Sequence, residues 1–560
     1  MDKAKPLSRN VSIILAVLLI AVAVAPRLWC FGRDKLPEGD AGNYLELGAN
    51  LAKGRGFVTY AKWDFYGDFA NLGPVVHAEG NRQPLLPLVV AATFKLGAAD
   101  HNAARVVTFF VSLAALAFLF LVIRRWFGDR LAYAATAVAA LEPSFLWFST
   151  RVQTEPYFAL FLFAALWLAG DLSREKPAPV VALAVGILTG LAYLTRTNGF
   201  LLAAAYVLAL LLVYRGRGLA AAALAVVGFA AVAAPWWVRN ARVFGDPFYS
   251  QAKYFIIAPT FDAVWEFKRH VPTWSSFFAS YSPLGLAARY GRGLWRAVEP
   301  FLLGNSHFNE LYEGAPLAAF VALAFVAGPV LRPRRALVFP SLAALFTILA
   351  FAAYGQGLYR YFVPFYLLLI PLGLAGARRA REALLPARRF AAAAFFVVLL
   401  LPFVRPLGKT LVQNDEREYA AVKGASEWLA KNTRPDDVVV TWPRVIELLY
   451  QYDRPSLYWP VASNQELLAV LDHYNVKYVV VEPLTLALRP RLNTLWWMGP
   501  KGVAKANNSS DGGDLIVRVD YGADAFKQVY REEGSDIVVY EVDHEKLRRS
   551  IYGVYLTGAR

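Results

Sequence analysis

Apolar runs close to twenty residues long recur along this chain, near 11–30, 104–123, 131–148, 154–171, 178–194, 199–214, 219–238, 316–331, 336–354, 358–377 and 389–406. A helix of about 20 apolar residues spans the hydrocarbon of a bilayer, so the pattern predicts about eleven transmembrane helices. One further apolar segment, 84–97, is only about 14 residues long and opens with Pro84 and Pro87, which predicts an interfacial or re-entrant helix rather than a span. Three stretches interrupt the apolar pattern and read as outer loops or tail: 31–103, 239–315 and 412–560.

The last stretch changes period. A helical pattern over 418–432 is followed by strand-like residues 437–441, a second helical pattern at 465–473, and strands at 476–483 and 536–542. Such alternation predicts a small α/β domain. The chain therefore divides into a membrane module, 1–411, and a soluble domain, 412–560, with no internal repeat.

Charge fixes the expected orientation. Lys3, Lys5 and Arg9 precede the first apolar run, and Phe31-Gly32-Arg33-Asp34 follows it where a signal peptide would have a small-residue cleavage site. The first run thus reads as an uncleaved span with a cytoplasmic N-terminus. Alternation from there puts Arg124, Arg125 and Arg130, Arg174 and Lys176, Arg215 and Arg217, Arg332, Arg334 and Arg335, and Arg378, Arg379, Arg381, Arg388 and Arg389 on the cytoplasmic side. The large loops and the tail then fall outside the cytoplasm. Read this way, the net charge of +16 is a topology signal and no sign of nucleic-acid binding. A composition of 57% apolar and 18% charged residues fits the same picture. The lone cysteine, Cys30, excludes an internal disulfide framework and a cysteine-based zinc cage. The overlapping sequons at 507–510 mark a loop and carry no argument.

The predicted topology gathers polar groups on the outer side. Asp40 stands in Gly39-Asp-Ala-Gly-Asn-Tyr44, and His77, Glu79 and Arg82 follow in the same loop. Glu155 opens the fourth span, Arg196 lies between the fifth and sixth, Arg239 and Arg242 follow the seventh, and Arg360 opens the tenth. Acids beside several arginines at a membrane surface suit a reaction in which a carboxylate takes a proton and guanidinium groups receive a phosphate.

The succession of motifs resembles a known family. Residues 40–57 (DAGNYLELGANLAKGRGF), 82–97 (RQPLLPLVVAATFKLG), 103–107 (AARVV), 124–130 (RRWFGDR), 154–158 (TEPYF), 190–200 (GLAYLTRTNGF) and 235–240 (PWWVRN) follow one another as in membrane glycosyltransferases of the protein O-mannosyltransferase and aminoarabinose transferase type, the GT-C architecture. The resemblance covers the first 250 residues or so, and the later RYFVP motif and the tail fit more loosely. It implies a polytopic α-helical membrane enzyme with a C-terminal extracytoplasmic α/β domain. The implied donor is a sugar linked through phosphate to a polyprenol, and the acceptor is a lipid, glycan or protein. Asp40 maps onto the family's favoured base and Glu155 onto a second acidic position; the charge of the leaving phosphate is expected to be met by arginines, Arg82 and Arg196 first and Arg239 and Arg360 next, since guanidinium binds phosphate bidentately and stays charged.

Each residue has a plainer reading. Asp40 can cap a helix that ends near Gly54. Glu155 can be an acid favoured at a helix start, with Thr154 capping and Pro156 in the first turn. Arginines at helix ends can snorkel to lipid headgroups. His77 and Glu79, two apart, leave a divalent metal open, though an ordinary polar loop explains them as well. The pairs Trp236-Trp237 and Trp496-Trp497 fit an interfacial aromatic belt. A transporter or flippase would also have many helices, but would carry ionisable groups deep within spans, where this sequence offers mainly Glu142. Transfer of an oligosaccharide from a pyrophosphate carrier is a second enzymatic alternative.

Overall fold

The computed structural model describes residues 7–33, 35–37, 40–62, 72–97, 100–173, 175–258, 264, 271–303, 318–327, 334–354, 359–384, 389–441, 451–460, 462, 464–482 and 525–548. Lys3, Lys5, Arg174, Arg332, Arg388, Trp496, Trp497 and the sequons at 507–510 lie outside these residues.

The first half runs α1 (Arg9–Arg33), α2 (Asp40–Ala52), β1 (Val58–Thr59), β2 (Ala61–Lys62), β3 (His77–Ala78), α3 (Leu85–Lys95), α4 (His101–Phe127), α5 (Asp129–Ala140), α6 (Pro143–Ser149), α7 (Glu155–Ala169), α8 (Pro179–Thr195), α9 (Gly199–Tyr214) and α10 (Leu219–Phe244). Then come α11 (Lys253–Ile257), α12 (Trp274–Ala279), α13 (Pro283–Leu303), α14 (Ala318–Ala327), α15 (Val338–Tyr354), α16 (Val363–Leu384) and α17 (Arg389–Val412). The tail holds α18 (Glu416–Asn432), β4 (Val438–Thr441), β5 (Ser456–Tyr458), α19 (Asn464–His473), β6 (Val476–Val481), β7 (Phe526–Arg531) and β8 (Val538–Val542).

Within the described residues every apolar run of the sequence lies on a helix or a broken pair of helices. Among the described residues, however, only Arg9–Arg33, His101–Phe127, Gly199–Phe244 and Val363–Glu382 are long and apolar enough to cross a membrane, or six stretches if two bent pairs each count as one. Helices such as α7, with 15 residues, stop short of a full span. The segment at 84–97 forms α3, an 11-residue helix.

The chain forms two compact units, Met1–Lys35 with Gly80–Ile256 and Phe278–Asn414, and Leu36–Glu79 with Ile257–Phe277 and Asp415–Arg560. The sequence pattern assigned 36–79 to the membrane module, whereas here that loop packs with the tail.

In the first unit the buried faces of α4, α5, α7, α8, α9, α15 and α16 share one core, with Leu119, Ile123, Phe158, Phe163, Val185, Leu202 and Tyr366 inside it. α8 and α10 approach so closely that a Cβ on Gly186 would lie 2.1 Å from the Ala225 carbonyl oxygen, the small-residue packing that brings apolar helices together in lipid. One charge departs from the expected placement at helix ends: Arg27, within α1, is fully buried. It donates to the carbonyl oxygens of Ala23 at 2.8 Å and Ala140 at 3.0 Å. The reason is the break between α5 and α6, bent by 68°, which frees carbonyls at the end of α5. Glu142 meets the other side of the break, its carboxylate accepting from the backbone N–H groups of Ser144 and Phe145 at 3.2 and 2.6 Å.

The second unit is built on a six-stranded sheet of order β2-β5-β4-β6-β8-β7, parallel from β2 to β6 and antiparallel beyond. Side chains alternate across it, as the pleat requires. Val439, Tyr478 and Val480 cluster with Val422, Ala425 and Leu429 of α18, while Val440, Val479 and Val481 cluster with Leu467, Leu468 and Leu471 of α19. The edge strand β2 comes from the first loop and pairs Ala61 with Ser456.

Helix α2 is buried along most of its length, and Glu46 within it is only 5% exposed. The Thr59 hydroxyl donates toward its two carboxyl oxygens at 3.2 and 3.1 Å, and the Tyr60 N–H donates to Oε1. Burial outweighs these bonds and raises the Glu46 carboxyl from its usual 4.5 to about 7. The folded chain then holds a proton that the unfolded chain releases near pH 4.5, so this contribution to stability is full below that pH and is lost as pH rises through 7. At about 1.4 kcal/mol per unit the loss is about 3 kcal/mol. Denaturation midpoints measured from pH 4 to 8 should fall accordingly in the wild type, and Glu46→Gln should remove most of that slope.

Candidate functional site

Glu155 is the first residue of α7 and is 1% exposed. Thr154 occupies the N-cap position, yet its side chain does not cap the helix. Its Oγ1 instead accepts from Nη1 of Arg196 at 3.1 Å. The Glu155 carboxylate accepts through Oε1 from Arg196 Nη1 and from Arg360 Nε, both at 2.6 Å. Arg360 Nη2 donates to Oε1 of Gln153 at 3.1 Å. A carboxylate buried this far requires cationic partners, which a helix terminus alone does not supply. Oε2 of Glu155 has no hydrogen-bond partner among the described residues.

The position of Arg196 follows from the turn that holds it. α8 ends at Thr195, the Arg196 N–H still bonds to the Ala192 carbonyl at 2.9 Å, and the Arg196 carbonyl accepts from the Gly199 N–H at 2.8 Å. A Cβ on Gly199 would lie 2.2 Å from the backbone nitrogen of Tyr193, so only glycine lets the chain turn against the end of α8. The Arg196 guanidinium lies 4.2 Å from the centre of the Tyr361 ring, and Arg360 lies 5.6 Å from that of Phe148.

Two further arginines connect to this triad through neighbours. Arg82 is half-buried, and the adjacent Gln83 donates through Nε2 to the hydroxyl of Thr197 at 3.0 Å, which seats the start of α3 against the Arg196 turn. Arg239 lies over Trp236 and Phe244, 4.8 and 5.0 Å from their ring centres, and donates to Asn240 Oδ1 at 2.9 Å. Asn240 reaches the Tyr249 carbonyl at 3.4 Å, and the Gln251 N–H reaches the Gly80 carbonyl at 3.3 Å. Arg196 and Arg360 thus converge on one buried carboxylate, while neighbours of Arg82 and Arg239 join the Arg196 turn and the start of the loop after α10; two guanidinium groups on one carboxylate leave a cationic excess that suits an anionic ligand. Arg242, by contrast, is exposed.

Asp40, His77 and Glu79 belong to the second unit. Asp40 is half-buried at the first residue of α2, and the helix ends as its sequence predicts, with Gly54 at φ +76° and the Arg55 N–H bonded to the Asn50 carbonyl at 2.9 Å. His77 on β3 pairs with Thr59, and its Nδ1 lies 2.8 Å from the Val75 carbonyl oxygen, so that nitrogen carries the proton. Glu79 is 4% exposed. Among the described residues no three His, Cys, Asp or Glu side chains converge as a metal site would require.

Sequence reasoning missed Gln153, Tyr361 and Arg151, the last 2% exposed and 3.7 Å from the Trp147 ring centre. The run Arg151-Val-Gln-Thr-Glu-Pro156 packs four polar side chains between two apolar runs, and that local density was the available signal.

Removing the carboxylate would leave two guanidinium groups without their counter-charge, at a cost of about 3–5 kcal/mol. Glu155→Ala should therefore lower the thermal midpoint of the detergent-solubilised protein clearly, with Glu155→Gln in between, as read by a tryptophan or light-scattering melt.

Residues 81–238 match the sequence family described as Dolichyl-phosphate-mannose-protein mannosyltransferase. Among curated protein sequences none is significantly similar to the chain. Among solved structures, ArnT from Cupriavidus metallidurans in the apo state is similar over 95% of this chain and 98% of its own, with 16% identity and a TM-score of 0.54. The same protein bound to undecaprenyl phosphate covers 94% and 97%, at 17% identity and 0.55. The Archaeoglobus fulgidus oligosaccharyltransferase tethered with an acceptor peptide is similar over 83% of this chain and 69% of its own, at 15% identity and 0.53. The chain therefore has the polytopic helical membrane fold of the GT-C type, with strands in its C-terminal region.

Proposed function

We propose that the protein is a glycosyltransferase that moves a monosaccharide, hexose or pentose, from a polyprenyl-phosphate carrier to a lipid, glycan or protein acceptor. The observation that carries this reading is the pair of arginines, Arg196 and Arg360, held on the buried carboxylate of Glu155, set in a fold similar to that of a protein bound to undecaprenyl phosphate. A phosphate attached to a long lipid needs guanidinium groups at the membrane, since these stay charged and bind phosphate oxygens two at a time.

In the proposed reaction the Asp40 carboxylate takes the proton of the acceptor hydroxyl as its oxygen attacks the anomeric carbon. The bond from that carbon to the phosphate oxygen breaks, the configuration inverts, and polyprenyl phosphate leaves with one more negative charge than it had as the ester. Arg82, Arg196, Arg239 and Arg360 are the groups assigned to that charge. Glu155 holds Arg196 and Arg360 in place and keeps an acceptor atom, Oε2, available for a substrate hydroxyl. His77 and Glu79 support the first loop, and no step is routed through a metal. The N-terminus is assigned to the cytoplasm and the site and tail to the opposite side, on the distribution of Lys and Arg between the apolar runs. The catalytic module is taken as 1–411 and the tail, 412–560, as a supporting or acceptor-recognising domain.

Purified wild type should transfer label from radiolabelled polyprenyl-phosphate sugars to acceptors in a host membrane extract. Asp40→Asn should lower that transfer by about a hundredfold or more while donor binding is kept. Equal transfer by both proteins would remove Asp40 from the role of base.

A further inference from the structure

Asp40, Asn43, Glu46 and Asn50 follow one another along α2 at steps of three and four residues, which lines them up along one side of the helix. The lower members are engaged within their own unit. Asn50 donates through Nδ2 to the Val58 carbonyl at 2.9 Å and accepts through Oδ1 from Arg55 at 3.3 Å, and Glu46 is bonded to Thr59 and Tyr60. Asn43 differs. It is 1% exposed, and among the described residues neither Oδ1 nor Nδ2 has a hydrogen-bond partner.

A carboxamide offers two donors and two acceptor sites, and burying all of them unmet carries the full desolvation penalty of the group. Native interiors seldom leave such a group at both ends, and where they do the cause is a functional one or a missing partner. Buried apolar side chains, Leu45 and Leu47, fill neighbouring positions of the same helix, and leucine shares with asparagine a side chain of four heavy atoms branched at the γ position. Asn43 lies one turn from Asp40, a separation of about 5–6 Å between Cβ atoms. A base must reach the attacking oxygen, and that oxygen is bonded in the same step to the anomeric carbon, so a sugar ring within reach of Asp40 is also within reach of Asn43.

We propose that Asn43 is a specificity-determining residue whose carboxamide reads hydroxyl groups of the transferred sugar. Oδ1 accepts from one hydroxyl and Nδ2 donates to the oxygen of its neighbour, a match to two adjacent ring hydroxyls. A phosphate fits this group poorly, because an anion offers no hydrogen to Oδ1. The inference rests on the glycosyltransferase reading above and adds to it the residue that chooses the sugar.

The test uses the full-length protein in detergent with radiolabelled polyprenyl-phosphate sugars, the sugar that wild type transfers and its single-deoxy analogues. Wild type should discriminate strongly against one deoxy donor, because the analogue leaves a buried polar group unmet. In Asn43→Leu the melting temperature should hold or rise, transfer of the parent sugar should fall about a hundredfold, and the preference over that deoxy donor should collapse towards one. Asn43→Ser, which keeps a hydroxyl in a smaller side chain, should retain part of the preference and gives the same readout if the leucine variant does not fold. Variants that keep the full preference, or that slow every donor by one common factor, would overturn the assignment of Asn43 alone. A wild type that transfers none of the donors would overturn the glycosyltransferase reading and this inference with it.

Discussion

An ionised carboxylate inside an apolar bundle has to be met by cations that are themselves held in place, and Glu155 imposes that condition on the first unit. Its two partners, Arg196 and Arg360, lie 41 and 205 residues further along the chain. The start of α7, the end of α8 and the turn before α16 must therefore meet at one point. Gly199 makes the turn after α8 tight enough, and Gln153 and Thr154 take hydrogen bonds left over by the two guanidinium groups. Hydrophobic residues of similar volume would hold three helix ends together at least as well, since a buried ion pair returns little net stability. What the charged arrangement adds, on the function proposed above, is chemical: guanidinium groups whose orientation is fixed before any anion arrives.

Much of this was legible along the chain. The apolar periodicity located the helices of the bundle, because a segment surrounded by lipid has to be apolar over a length that nothing else in a protein requires. The tail's helices and three of its strands were legible for a different reason, as runs such as Val476-Lys-Tyr-Val-Val-Val481 have no other use than a sheet buried on both faces. Short strands were not. β1, β2 and β3 have two residues each, and nothing local separates them from loop. They exist because long-range partners complete them, Ser456 in the case of Ala61.

The candidate residues divide along the same line. Glu155 and its arginines could be singled out because charges next to apolar runs are conspicuous, but Thr154 was read as a cap and turned out to serve Arg196. Arg27 was passed over as part of an apolar run, since the broken helix it stitches together is a feature of packing and leaves no mark in its neighbours. Asn43 is the extreme case. An asparagine in a helical pattern is unremarkable in a sequence, and only the absence of a hydrogen-bond partner among the described residues around an enclosed side chain sets it apart.

The edge strand β2 has one more consequence, which concerns time. Lys53 and Arg55, just before that strand, bind Asp453 across a separation of roughly 400 residues. The first loop is therefore synthesised long before β5 and the other strands of the sheet that receives it. At synthesis rates of about 5–20 residues per second the early loop waits tens of seconds for its place. During that interval Ala61 and Lys62 have no ladder to join, and the helix bearing Asp40 and Asn43 has no tail domain to be buried with. The segment that bears Asp40 and Asn43 thus emerges well before the strands that complete it, which ties its maturation to synthesis of the tail.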